Sequence, residues 1–99
     1  MADKKVTVVA RIKARKGMEE TLNQELVALV APTRSEKGCI NYDLHRSADD
    51  RSVFMFYETW VSKEDLDKHL AMPYMKSHME KAREALDGPA EIALWEKIS

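Results

Sequence analysis

The chain reads as a single α+β domain, residues 1–99, built on a four-stranded antiparallel sheet with its helices on one face. Two observations predict this. Hydrophobic periodicity runs in the order strand, helix, strand, strand, helix, strand. The central strand, VFMFYETWV (53–61), is apolar on both sides: Val53, Met55, Tyr57 and Val61 point one way, Phe54, Phe56 and Trp60 the other. One charge, Glu58, interrupts it on the face of Trp60.

The first strand spans 6–14, with Val6, Val8, Ala10 and Ile12 alternating against Thr7, Val9, Arg11 and Lys13 until Lys16-Gly17 ends it. Met18, Leu22, Leu26, Leu29 and Val30 then recur at helical spacing, predicting a helix over 18–35. Glu19 and Glu20 fall in its first turn, where the macrodipole favours them, and Pro32 predicts a kink or an early stop. Gly38 opens the second strand, CINYDLHR (39–46), with Ile40, Tyr42 and Leu44 on one face and Cys39, Asn41, Asp43 and His45 on the other. The polar segment 47–52 is a hairpin connection into the central strand.

Ser62 followed by Asp65 is a helix N-terminus signature. The helix it starts carries Leu66 and Leu70 on one stripe with His69 between them. Pro73 ends that helix and begins another, in which Met75, Met79, Ala82 and Leu86 form an apolar stripe. Asp87-Gly88-Pro89 stops it, and the last strand follows over 90–98 with Ala90, Ile92 and Leu94 alternating against Glu91, Ala93 and Trp95.

This order is the ferredoxin-like βαββαβ arrangement. Two helical segments cover one face of such a sheet and leave the other bare. Four strands about 20 Å long and about 4.8 Å apart present roughly 400 Å² per face, near the upper limit for an exposed apolar patch. A second copy packed face to face is the expected cover, giving a homodimer with a barrel-like centre.

Composition narrows the function. A formal charge of −1, with basic residues scattered among acidic ones, argues against nucleic acid. No run approaches the roughly twenty apolar residues of a membrane span. The start, MADKKVTVV, carries no secretory apolar region, and a lone Cys39 and six Met suit a reducing cytoplasm. No phosphate loop, dinucleotide fingerprint, nucleophile elbow or metal-ligand spacing stands out.

What remains is a cluster on the helix-covered side. Glu58 and Trp60 face the segment carrying His69, Tyr74 and His78. A gap there would be a pocket with an aromatic wall and an acid/base pair, the usual anatomy of a small-molecule site. Each residue also has a plain structural reading: Trp60 and Tyr42 as core, His69 bonded to a backbone carbonyl, Glu58 paired with Arg11 or Lys13.

GCINYDLHRS and FYETWVSKEDLDKHLAMPYMKSHM resemble the antibiotic biosynthesis monooxygenase family, including the small bacterial quinol monooxygenases. The likeness begins at VVARIKARKG and is most specific at Glu58-x-Trp60, Ser62-x-Glu64 to Leu66, His69 and Pro73. The resemblance implies a homodimer of ferredoxin-like units and a pocket between sheet and helices. It implies oxygenation of a small aromatic quinol-like substrate by dioxygen without metal or flavin, because the deprotonated substrate supplies the electrons. It assigns His69 as general base or anion-stabilising donor and Glu58 as the group that orients or tunes it. Trp60 and Phe56 would stack on the ring; Tyr42 and Tyr74 would bond its oxygens.

The sequence departs from that pattern in two places. Many relatives carry a second His after the helix-breaking proline, where this chain has Tyr74; His78, one turn on, is the available substitute. Haem-degrading relatives use a first-strand Asn, whereas the inward positions here are Val8, Ala10 and Ile12. The same fold hosts isomerases of small hydroxy-carbonyl compounds and dimers that only bind ligand, and both stay open as alternatives.

Overall fold

The computed structural model describes residues 4–99; residues 1–3, part of the start considered above, lie outside the described residues. The elements are β1 (Val6–Lys13), α1 (Glu19–Val27), α2 (Val30–Arg34), β2 (Cys39–Arg46), β3 (Val53–Trp60), α3 (Lys63–Leu70), α4 (Pro73–Ala82), a 3₁₀ turn (Arg83–Ala85) and β4 (Glu91–Trp95). The four strands form one antiparallel sheet in the order β2-β3-β1-β4. With the helix pairs α1–α2 and α3–α4 between strands, this is the ferredoxin-like fold expected from the element order.

The alternation of β1 and β3 places the core. Val8, Ala10 and Ile12 pair with Glu58, Phe56 and Phe54, and all six are buried beneath the helices. Leu22, Leu26 and Leu29 close the same core from above. On the opposite face Tyr57 and Val61 remain exposed.

The single helix expected over 18–35 is two helices. Pro32 has no N–H to give the carbonyl of Ala28, and its ring collides with that carbonyl. The helix therefore breaks one turn before the proline, with Leu29 N–H turning to Leu26 O at 3.1 Å, and Pro32 sits in the first turn of α2. Pro73 behaves as expected: Met72 before it is extended (ψ 139°), and Pro73 is the first residue of α4. That helix ends at Ala82, short of Leu86, in the 3₁₀ turn.

In β2 the face assignment at its start is corrected by a bulge. Cys39 pairs with Trp60 and Asn41 with Thr59, so Ile40 is the extra residue. Cys39 therefore lies on the helix side with Tyr42, and Ile40 is turned out, 49% exposed. Burial raises the Cys39 thiol to about 11, leaving it unreactive. The ladder of β4 is shorter than the 90–98 read from sequence. Trp95 pairs with Thr7 near the start of β1, so the segment beyond soon runs out of partner strand. Ile92 and Leu94 sit opposite Ala10 and Val8 on the helix side, yet are about half exposed. The helices stop short of this edge. No helix among the described residues is long and apolar enough to cross a membrane.

Candidate functional site

Between the sheet and the helices lies a cavity of about 290 Å³. Its walls are Ala10 and Ile12 of β1, Phe56 of β3, Leu26 of α1, Leu29, and Met75 and Met79 of α4. Ala90, Ile92 and Leu70 stand at the side that the short helical cover leaves open. Four lining residues bring polar groups: Tyr42, Glu58, His69 and Lys76. The volume is about twice the ~150 Å³ that accepts a benzene ring, which suits one or two fused rings.

His69 is the most tightly specified of these groups. Ser62 caps α3, its Oγ accepting the Asp65 N–H at 3.1 Å, and this fixes the helix that delivers His69 to the core side. The ring is 1% exposed and its Nδ1–H donates to Glu36 Oε2 at 2.8 Å. That bond sets the tautomer and leaves Nε2 as the ring nitrogen available to a ligand. The indole of Trp60 lies against the imidazole, centroids 4.6 Å apart, and the Tyr42 ring stands steeply inclined to it at 70°, centroids 5.5 Å apart.

Glu36 is the functional-site residue that the sequence reading missed. It sits in the turn between α2 and β2, tied by its N–H to Thr33 O at 3.0 Å and by its carbonyl to Cys39 N–H at 3.1 Å. Gly38 lets α3 close on this turn. A Cβ there would fall 2.3–2.6 Å from the side chain of Asp65, so only glycine permits the approach. The same Glu36 oxygen also accepts from the Tyr74 hydroxyl, which in turn takes a hydrogen bond from the buried Thr33 Oγ1 at 3.2 Å. Burial, with the bond to Glu36, raises the Tyr74 hydroxyl to about 12, so it remains a donor.

Glu58 is 5% exposed, and its Oε1 accepts the Trp60 Nε1–H at 2.8 Å. The expected orientation of His69 by Glu58 is not what the structure has: Glu36 holds the imidazole, and Glu58 is held by the indole. Nor does Glu58 face Arg11 or Lys13, which alternate onto other positions of β1; its cross-strand neighbours are Val8 and Tyr42. Burial raises the Glu58 carboxyl to about 7, against the smaller lowering effect of the Trp60 bond. Burial and the nearby Glu58 likewise push the Tyr42 hydroxyl well above the ordinary range for tyrosine.

The structure thus brings together His69, Glu58, Phe56 and Tyr42 around one cavity. Trp60, expected as a stacking wall, is fully buried behind His69 and supports it rather than lining the space. Tyr74 acts through Glu36 and is not part of the lining. His78 is drawn elsewhere, its Nδ1–H donating to Glu25 Oε1 at 2.8 Å and tying α4 to α1. It does not replace the second histidine.

Residues 5–81 match the sequence model described as antibiotic biosynthesis monooxygenase. The chain is 34% identical over 89 residues to "Putative monooxygenase Rv0793" of Mycobacterium tuberculosis, covering 90% of this chain and 87% of that protein. It is 32% identical over 94 residues to an uncharacterized Synechocystis protein, covering 95% of this chain but only 64% of that protein's length. Among solved structures, PA3566 from Pseudomonas aeruginosa superposes with a TM-score of 0.93 at 30% identity, covering 100% and 99% of the two chains.

Proposed function

The chain belongs to the antibiotic biosynthesis monooxygenase family, and from that premise we propose that it oxygenates a small aromatic quinol-like compound with dioxygen, the substrate itself supplying the electrons. One observation carries this reading: an imidazole with one nitrogen fixed by a carboxylate and the other left for a ligand, bordering an apolar cavity sized for one or two rings. In this reading Nε2 of His69 removes a proton from the bound quinol. The anion that forms is electron-rich enough to reduce dioxygen. Phe56 and the aliphatic walls keep the ring in place and exclude water from the reactive anion.

Tyr42 stacks on Phe56, ring centroids 4.6 Å apart, and its hydroxyl stays protonated as a hydrogen-bond donor. Glu36 does not meet the substrate. Its work is to keep Nδ1 protonated, so that Nε2 carries the lone pair.

The reading includes a homodimer. Tyr57, Trp95 and Ile98 are exposed, and Met55 is half-buried on the face away from the helices. A second copy is the occupant that suits a bare sheet of this extent, packing face to face in a barrel-like centre. A small-molecule enzyme of this kind would work in the cytoplasm.

Oxygen uptake tests the reading. Added naphthohydroquinone should be consumed with dioxygen well above its rate in buffer, and His69→Ala should remove the excess. If wild-type protein instead exchanges protons on a hydroxy-carbonyl compound without consuming oxygen, an isomerase reading replaces this one. If it binds both without turnover, the protein is a ligand-binding dimer.

A further inference from the structure

His69 serves as the base, yet oxygenation of a quinol by dioxygen must also discharge an oxygen as water, and that needs an acid. Glu58 is the carboxyl group that lines the cavity. It is 5% exposed and borders the same space as His69. Among the described residues its hydrogen bond is the one it accepts from Trp60, and no lysine or arginine forms an ion pair with it. A buried carboxyl so placed is costly as an anion and comfortable as an acid. Trp60 joins the two groups. Its N–H fixes Glu58 while its ring face lies against His69, so one rigid indole sets the position of both.

We propose that Glu58, in its acid form, is the general acid of this site, donating a hydrogen bond and then a proton to a substrate or peroxide oxygen while His69 serves as base. The proposal rests on the oxygenase reading. The chemistry balances on the keto tautomer of a quinol, whose ring carries a CH₂ beside a carbonyl. His69 takes one proton from that carbon, and the electron pair left behind forms the C–O bond to dioxygen. The protonated His69 returns its proton to the peroxide, giving C–OOH. His69 then takes the second proton from the same carbon. The C=O bond forms as the O–O bond breaks, and the departing hydroxide takes the Glu58 proton and leaves as water. The proton on His69 re-protonates Glu58. In sum, CH₂ and O₂ become C=O and H₂O: the carbon loses four electrons and dioxygen gains four.

The groups around Glu58 are consistent with an acid. β2 contributes Tyr42 and Cys39, both protonated at neutral pH, and β1 contributes Val8. From the other side come His69 of α3, the Glu36 carboxylate, whose charge further disfavours an anion at Glu58, and Lys76 of α4 on the cavity lining. Burial raises the Glu58 carboxyl to about 7, so the acid form is present at neutral pH.

Two measurements on the full-length chain test this. The first is oxygen uptake with naphthohydroquinone across pH. Wild type should lose kcat above about pH 7. Glu58→Gln keeps a donor and the Trp60 contact but has no transferable proton; kcat should fall about 10²-fold or more with KM little changed, and the alkaline loss should vanish. The second, independent of turnover, is calorimetric binding of naphthoquinone, whose carbonyl would accept from Glu58. Affinity should weaken about tenfold from pH 6 to pH 9 in wild type and stay flat in Glu58→Gln. Binding that follows Glu58 without any oxygen uptake would sink the oxygenase reading and leave Glu58 as a donor to a ligand oxygen, with no acid role. Uptake that is unchanged in Glu58→Gln, or pH-independent binding in wild type, overturns the assignment of Glu58.

Discussion

Glu36 and His69, 33 residues apart in sequence, meet at 2.8 Å, the Nδ1–H of the imidazole donating to the carboxylate Oε2. The contact joins a turn, held close by Gly38, to a helix whose start is fixed by Ser62. Removing the carboxylate should therefore act on both stability and chemistry. Glu36→Ala leaves a fully buried imidazole N–H without a partner, at about 1–3 kcal/mol. It also frees the tautomer, so oxygen uptake should drop by about ten- to a hundredfold. Nitrogen-15 NMR of the imidazole reads the tautomer directly: Nδ1–H in wild type, a mixture in the variant.

Gly38→Ala tests the close approach that makes this contact. The new Cβ would overlap the Asp65 side chain, so either Asp65 or the turn must move. Overpacking of this kind costs about 1–3 kcal/mol. Thermal denaturation should show the loss, and oxygen uptake should fall with it because Glu36 shifts with the turn.

Tyr74→Phe separates support from substrate contact. The hydroxyl bridges Glu36 and the buried Thr33, and the ring is not part of the cavity lining. Stability should fall by about 1 kcal/mol, with KM unchanged. A KM several-fold higher would return Tyr74 to the ligand. His78→Ala, which breaks only the tie to Glu25, should leave uptake as it is.

Glu58 makes stability pH-dependent in a defined direction. The folded chain keeps its proton up to about pH 7, whereas an unfolded glutamate releases it near 4.5. Between these values the folded state binds more protons, so stability is greatest below about pH 4.5 as far as this group is concerned, and falls as pH rises to about 7. The loss is on the order of 3 kcal/mol and persists above that range. Glu58→Gln removes it. Denaturation midpoints at pH 5 and pH 8 should lie closer together in the variant than in wild type.

Much of this molecule is legible in the sequence because burial on one face imposes a period. The alternation of Phe54, Phe56, Glu58 and Trp60 announces β3 and its buried side, and the Ser62 and Pro73 signals mark the helices that carry His69 and Tyr74. Pro32 gave warning of a break, and its clash four residues upstream puts that break at Ala28 rather than at the proline. Two features had no local signal. The extra residue Ile40 is a property of the β2–β3 pairing, and nothing in CINYDLHR marks it. Glu36 lies in a polar turn, SEKG, where a glutamate is unremarkable by itself; its partners come from helices far along the chain. The sequence therefore points to Glu58 for the orienting role, because that carboxylate interrupts an apolar strand.

Isotope tracing decides whether His69 initiates oxygenation within this cavity. Wild-type protein supplied with naphthohydroquinone and ¹⁸O₂ should place one labelled oxygen in the product quinone and the other in water, while His69→Ala should do so only at the rate found in buffer. A product without label, or equal incorporation by His69→Ala and wild type, would contradict it.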